Sequence, residues 1–262
     1  MSQAVTVFSG PTPYVHRVPI DRPWTWLAQG WADMRKAPGT SLTYGVVFSL
    51  LSFIILGVLW LTDMTYLVLP LSAGFILMGP ILAVGLYETS RRLANNEPVG
   101  LGYALKALQR NTSQIALMGI ALMLFLLAWI RIATLIFALF FSHTPPGLDN
   151  FVAEVFFSAE SIPFLLTGII TGGILAALVF AISAVAIPML LDRADINVAV
   201  AIVTSLNAVR LNILPMTVWA ALIVLFTAAG LVTLYLGLIV ALPLIGHATW
   251  HAYHDTVGFE AP

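Results

Sequence analysis

The stretch Leu42–Arg92, LTYGVVFSLLSFIILGVLWLTDMTYLVLPLSAGFILMGPILAVGLYETSRR, decides the fold. It holds two long apolar runs, Leu42–Leu61 and Tyr66–Tyr87, separated only by Thr62-Asp63-Met64-Thr65 and closed by Glu88 and the Arg91-Arg92 pair. Each run matches the roughly 20 residues that about 30 Å of hydrocarbon demands. The short polar connection makes them a helical hairpin across a membrane, with its basic end on the cytoplasmic side.

Working outward, the same pattern recurs. Gln114–Phe141 and Ile162–Leu191 form the next apolar pair, closed by Asp192-Arg193. Asn212–Tyr253 has no polar break, yet as one helix it would run about 63 Å, twice the membrane core, so two spans are expected, turning near Ala228-Ala229-Gly230. The expected fold is an all-α polytopic membrane protein of six transmembrane helices in three hairpins, at about 42–61, 66–87, 114–141, 162–191, 212–230 and 231–253. Residues 1–23 read as a flexible cytoplasmic tail, 24–255 as the membrane domain and 256–262 as a second tail.

Charge fixes the orientation. Ten of the eleven Lys and Arg residues fall in three segments: Arg17, Arg22, Arg35 and Lys36; Arg91, Arg92, Lys106 and Arg110; Arg193 and Arg210. The alternate connections carry Asp63, then Asp149, Glu154 and Glu160. By the positive-inside rule both termini are cytoplasmic and the outer loops are 62–65 and 142–161. Composition agrees: 60% of residues are hydrophobic, 9% are charged and mean hydropathy is +0.98, against about a quarter charged in soluble domains. A net charge of −1 argues against a nucleic-acid partner, and the lack of cysteine excludes disulfides and thiolate chemistry.

Each hairpin follows a short amphipathic segment with one Arg near its end: Trp24–Lys36, Gly102–Thr112 and Val198–Leu211. Each hairpin's second helix carries a proline (Pro80, Pro188, Pro243) expected to kink it. This suggests a threefold repeat. The segments are expected to lie in the cytoplasmic interface, with Trp24, Trp26, Leu27 and Trp31 at headgroup depth, as anchor or as partner-docking helix. Leu148–Ala159 reads as an outer interfacial helix, with Phe151, Val155 and Phe156 toward lipid. Gly168, Gly172 and Gly173 in the fourth span allow close packing, within the chain or between copies in a homo-oligomer through helix 162–191.

Candidate functional residues are few. HExxH, Walker A, GxSxG and paired intramembrane carboxylates are absent, so no enzyme is indicated. Arg131, the one basic residue inside a span, is expected to be structural and to reach Glu154 or Glu160 at the outer surface. In Gly246-His247-Ala248-Thr249-Trp250-His251-Ala252-Tyr253-His254-Asp255, the spacing of His247, His251 and His254 puts three imidazoles on one helical stripe. They are a candidate metal or haem site, or an interfacial polar cap. In the latter case His247 is the most buried and His254 the least.

Gly30-Trp31-Ala32-Asp33, Pro38–Gly45, the Gly79-Pro80-x-Leu82 element and Pro243–Tyr253 together resemble a family of uncharacterised bacterial integral membrane proteins. That family is a domain of unknown function, some of whose members are labelled cytochrome c oxidase subunit I. The resemblance spans most of residues 24–257. It implies a multi-pass fold in a bacterial inner membrane and no established activity. Function is expected to be that of a non-enzymatic accessory or assembly protein of a membrane complex, with partner proteins in the bilayer. A small-solute transporter or channel, or a metal- or haem-binding protein, are the alternatives.

Overall fold

In a computed structural model, residues 12–141, 155–158 and 161–259 are described. Among them, five helical stretches are long and apolar enough to cross a membrane. These are α2 (Pro38–Leu61); α3 and α4 (Val68–Leu82, Val84–Ala94), which act as one span; α6 (Thr112–Phe140); α7 and α8 (Ser161–Ser183, Ala186–Asp192), again one span; and α10 (Ile213–Val232). The other helices are α1 (Arg22–Lys36), the short α5 (Leu101–Leu105), α9 (Val198–Leu211) and α11 (Leu238–Thr256).

The spans are built inside out relative to a soluble helix. In α2 the buried face is Ser41, Gly45 and Ser49, while Leu50, Ile54 and Trp60 are exposed. Lipid solvates large apolar side chains as well as a protein core does, so only close packing and hydrogen bonds reward the inward face. Small residues there let backbones meet.

That inward face meets α11, the hub of the bundle. A Cβ on Gly45 would lie 2.6 Å from the Ile239 Cα, and one on Gly30 of α1 would lie 2.7 Å from the Ala248 nitrogen. Helix α11 is wrapped by α1, α2, α4 and α10 and buries thirteen of its residues, from Leu238 to Thr256. This explains why hydropathy understates it: its polar residues face protein. It follows α10 through a turn at 233–237, later than the expected 228–230, where Leu234 and Tyr235 adopt positive φ. Tyr235 anchors the turn, its hydroxyl bonding Ser72 and its carbonyl accepting from Ser49.

The prolines act unequally. The span holding Pro80 breaks at Ala83, and the one holding Pro188 breaks at Ala184–Val185. Pro243 produces no break in α11. It lies near that helix's start, and the Ile239 carbonyl it cannot bond faces Gly45. Beyond the breaks, α4 is buried at every position from Val84 to Arg91 and α8 from Ala186 to Leu191. Both pack against α11.

The three junctions between amphipathic segment and span share a backbone shape. Ala37, Asn111 and Asn212 each have φ between −147° and −120° and ψ between 43° and 59°. Asn111 donates to carbonyls of Leu190, Arg193 and Ile196, and Asn212 ties down the N-terminal segment through the His16 carbonyl and Val18 N–H.

Three expectations change. The tails are not wholly flexible: β1 (Pro13–Val15) pairs antiparallel with β2 (Val257–Phe259), joining the two ends of the described chain. Trp26 does not face the headgroups as expected; it is fully buried in protein and its ring meets Trp219 edge-on at 5.7 Å. Trp24 and Trp31 are exposed, on one stripe with Arg35. Most of the outer segment 142–161, with Glu154 and Glu160, lies outside the described residues. Within it Val155 is buried in protein rather than turned to lipid, beside exposed Phe156 and Phe157. Gly172 seats the Trp129 ring, 2.9 Å from a built Cβ, whereas Gly168 and Gly173 meet nothing within 4 Å.

Candidate functional site

A buried polar network inside the bundle joins four helices. His247 of α11 has no exposed surface, and both its ring nitrogens are engaged. Nε2 lies 2.9 Å from the Ser41 hydroxyl of α2, and Nδ1 lies 2.8 Å from the Ser90 hydroxyl of α4. Ser90 donates in turn to Asp33 Oδ2 of α1 at 2.7 Å. The same oxygen lies 2.8 Å from His251 Nε2, one turn further along α11. The network therefore runs Ser41–His247–Ser90–Asp33–His251.

Proton counting constrains it. Ser90 has one hydroxyl proton, and an ionised Asp33 takes it. His247 must then donate from Nδ1 to the Ser90 oxygen. In a neutral ring, Nε2 is left to accept from Ser41. Every donor then points toward the Asp33 carboxylate. If Asp33 is protonated instead, the chain reverses: Asp33 donates to Ser90, Ser90 to Nδ1, Nε2–H to Ser41, and Ser41 to the Ala37 carbonyl 2.8 Å away. One proton at Asp33 thus sets the tautomer of a buried ring and the hydroxyl at the α1–α2 junction. Burial alone would push the Asp33 carboxyl upward; hydrogen bonds from His251 and Ser90, helped by the nearby imidazoles, outweigh it and hold the group below its ordinary value.

A second cluster adjoins on α4. Glu88, also buried, accepts from Arg91 Nε at 2.8 Å, Arg91 Nη2 at 3.0 Å and Arg92 Nε at 2.7 Å. Arg91 also reaches Glu97, and Arg92 stacks over Tyr103 at 3.9 Å. On the other flank Asp255 accepts from Trp26 Nε1 at 2.7 Å and Arg22 Nε at 2.6 Å, and Tyr253 donates to Asp192 at 2.9 Å. These contacts bind α1, α4, α8 and α11 into one block.

The histidine stripe is graded as the cap reading expects, with His247 buried, His251 partly buried and His254 exposed beside Trp250. It does not assemble a ligand set. The nitrogens of His247 are taken by hydroxyls and His251 turns to Asp33. Among the described residues no three His, Asp or Glu side chains are placed to hold a metal ion. A haem axial ligand would need a ring nitrogen that His247 does not have free. Arg131 is exposed on α6 and has no partner among the described residues. Its expected acids, Glu154 and Glu160, are not among them.

Residues 67–192 match the family described as "Predicted integral membrane protein (DUF2189)". The resemblance to an uncharacterised membrane-protein family thus stands on the segment from α3 to α8. The DUF2189 segment contributes Ser90, the Glu88–Arg91–Arg92 cluster and both helix breaks. The N-terminal Gly30–Asp33 element and the C-terminal histidine motif lie outside it. No curated protein and no solved structure matches the chain.

Proposed function

We propose that this integral membrane protein is a non-enzymatic accessory or assembly protein of a membrane complex. One observation carries the reading: the residues best suited to chemistry, Asp33, Ser41, Ser90, His247 and His251, bond one another and line neither of the two principal cavities. A Ser-His-Asp set with buried serines, whose side chains line neither of these cavities, offers a substrate no approach from them. It stiffens the end of the bundle instead. A transporter needs a polar route, and the larger cavity is apolar, while Arg131 lines neither.

The topology that goes with this reading has six crossings with both termini in the cytoplasm. The β1–β2 pairing supports an even number, which makes α11 the sixth crossing, shielded by its neighbours. On that side the exposed Trp24, Trp31 and Arg35 of α1, and Leu105 at the end of α5 with the following Lys106, lie at the interface.

Cross-linking in native membranes followed by mild-detergent purification tests the role. Fixed-stoichiometry partner proteins are expected, and they should be lost on Trp31→Glu without a change in melting temperature. A chain that stays alone and drives solute uptake in liposomes would overturn it. Reporter fusions at Asp149 and at the C-terminus test the topology; an exported C-terminus excludes six crossings.

A further inference from the structure

Two cavities adjoin in the apolar part of the bundle. The larger, about 420 Å³, lies between α3, α6 and α7. Its rim includes Ala73, Ile169 and Gly173, which are exposed on apolar faces of spans, so it opens toward lipid. The smaller, about 90 Å³, lies deeper, where the two broken spans face each other: Gly79, Pro80 and Ala83 on one side, Ala184 on the other. Both are walled by Ile76, Leu77 and Ala176, so the two are neighbours across these side chains.

The two differ in chemistry. The outer cavity is almost wholly apolar, and the Trp129 N–H on its wall is already bonded to the Pro70 carbonyl at 2.8 Å. The inner one is walled by four aromatic rings, Phe75, Phe180, Tyr87 and Trp219. Trp219 is 1% exposed and its indole N–H has no hydrogen-bond partner. A buried N–H is normally satisfied, so this donor stands ready for an acceptor. Acceptors stand there too: Pro80 and Pro188 lack the N–H that would engage the Ile76 and Ala184 carbonyls, and both residues line the chamber. Broken helices at membrane depth are tolerated where they border such a site. No charged side chain lines either cavity. A charged head group would therefore be desolvated without a counterion.

The geometry points to a binding site for a membrane quinone: a flat, uncharged head with carbonyl oxygens in the inner chamber, and an apolar tail leaving through the outer cavity to the bilayer. The quinone carbonyl accepts from Trp219, the rings stack on the aromatic walls, and the hydroxyls of a quinol find the freed carbonyls. The bilayer supplies such a ligand directly, and its uncharged head suits a chamber without ions. A phospholipid would bring a charged head group that the chamber cannot pair.

The test uses the full chain in lipid nanodiscs and a photoreactive azido-quinone with a decyl tail. Label is expected on α3 or α10, and excess decylubiquinone should compete for it. Trp219→Phe keeps the ring and removes the donor, and should weaken decylubiquinone competition about tenfold. Gly173→Leu, at the open rim where a Cβ meets no atom within 4 Å, should block entry and abolish specific labelling while the melting temperature holds. The inference fails if decylubiquinone does not compete, or if a saturated phospholipid competes equally, which would make the cavities an acyl-chain groove. It also fails if neither variant changes the labelling.

Discussion

The two ends of the molecule are held together by different means. Where β1 and β2 pair, α1, α4, α8 and α11 are joined by hydrogen bonds among buried polar side chains, with backbones in van der Waals contact at Gly30 and Gly45. At the other end Tyr66, just before α3, meets α6 and α7 through aromatic rings beside an apolar cavity of about 420 Å³. In lipid, apolar burial between helices yields little, so rigidity follows close contact and polar bonds. Stability should therefore be concentrated at the first end, and substitutions of similar size should cost very different amounts at the two.

The largest contrast is steric. Gly30→Ala and Gly45→Ala push a Cβ into the backbone of α11 and should prevent accumulation of folded protein, a loss of about 4 kcal/mol or more. Gly168→Ala meets nothing and should stay within about 0.5 kcal/mol of the parent by thermal melting in detergent. Equal losses at both sites would erase the comparison.

Next comes Asp33→Asn, which weakens charge-assisted bonds to His251 and Ser90 and should cost about 2–4 kcal/mol. Because the folded-state carboxyl lies below its ordinary value, its contribution is present above the unfolded pKa of about 3.9 and is lost as pH falls through the folded value. Melting temperature followed from pH 7 to pH 3 should fall in the acid range for the parent. It should fall less for Asp33→Asn.

A smaller effect is expected where the chain ends are tied. Asn212→Ala removes bonds to the His16 carbonyl and Val18 N–H and should cost about 1–2 kcal/mol, with faster amide exchange at β1. The smallest is Arg131→Gln. An exposed cation without a partner among the described residues should change melting by less than about 0.5 kcal/mol. A large loss would instead mean that an acid of the outer segment pairs with it, as the sequence suggested.

The same contrast explains what could be read from the sequence. Apolar length and charge alternation locate the spans because they reflect transfer into lipid, a property of each segment alone. The i,i+4 spacing likewise marks His247 and His251 as one stripe, with His247 innermost. The partners of those rings were not legible. Asp33, Ser41 and Ser90 are scattered over three helices and share no local pattern. Trp26 resembles the interfacial Trp24 and Trp31 in composition, and only packing against α11 and Asp255 separates it from them. The turn before α11 also escapes the pattern, since Thr233 and Tyr235 are the only polar side chains in 228–237 and the break is set by Tyr235 contacts.

The central claim is that Asp33, Ser90 and His247 act as one unit closing this end of the bundle. A double-mutant cycle of Asp33→Asn and His247→Gln, measured by unfolding of the full chain in detergent, tests it most directly. Coupled residues should give a double variant whose loss falls short of the sum of the single losses by about 1 kcal/mol or more. Losses that add within about 0.3 kcal/mol would show the two side chains to be independent and would contradict the account.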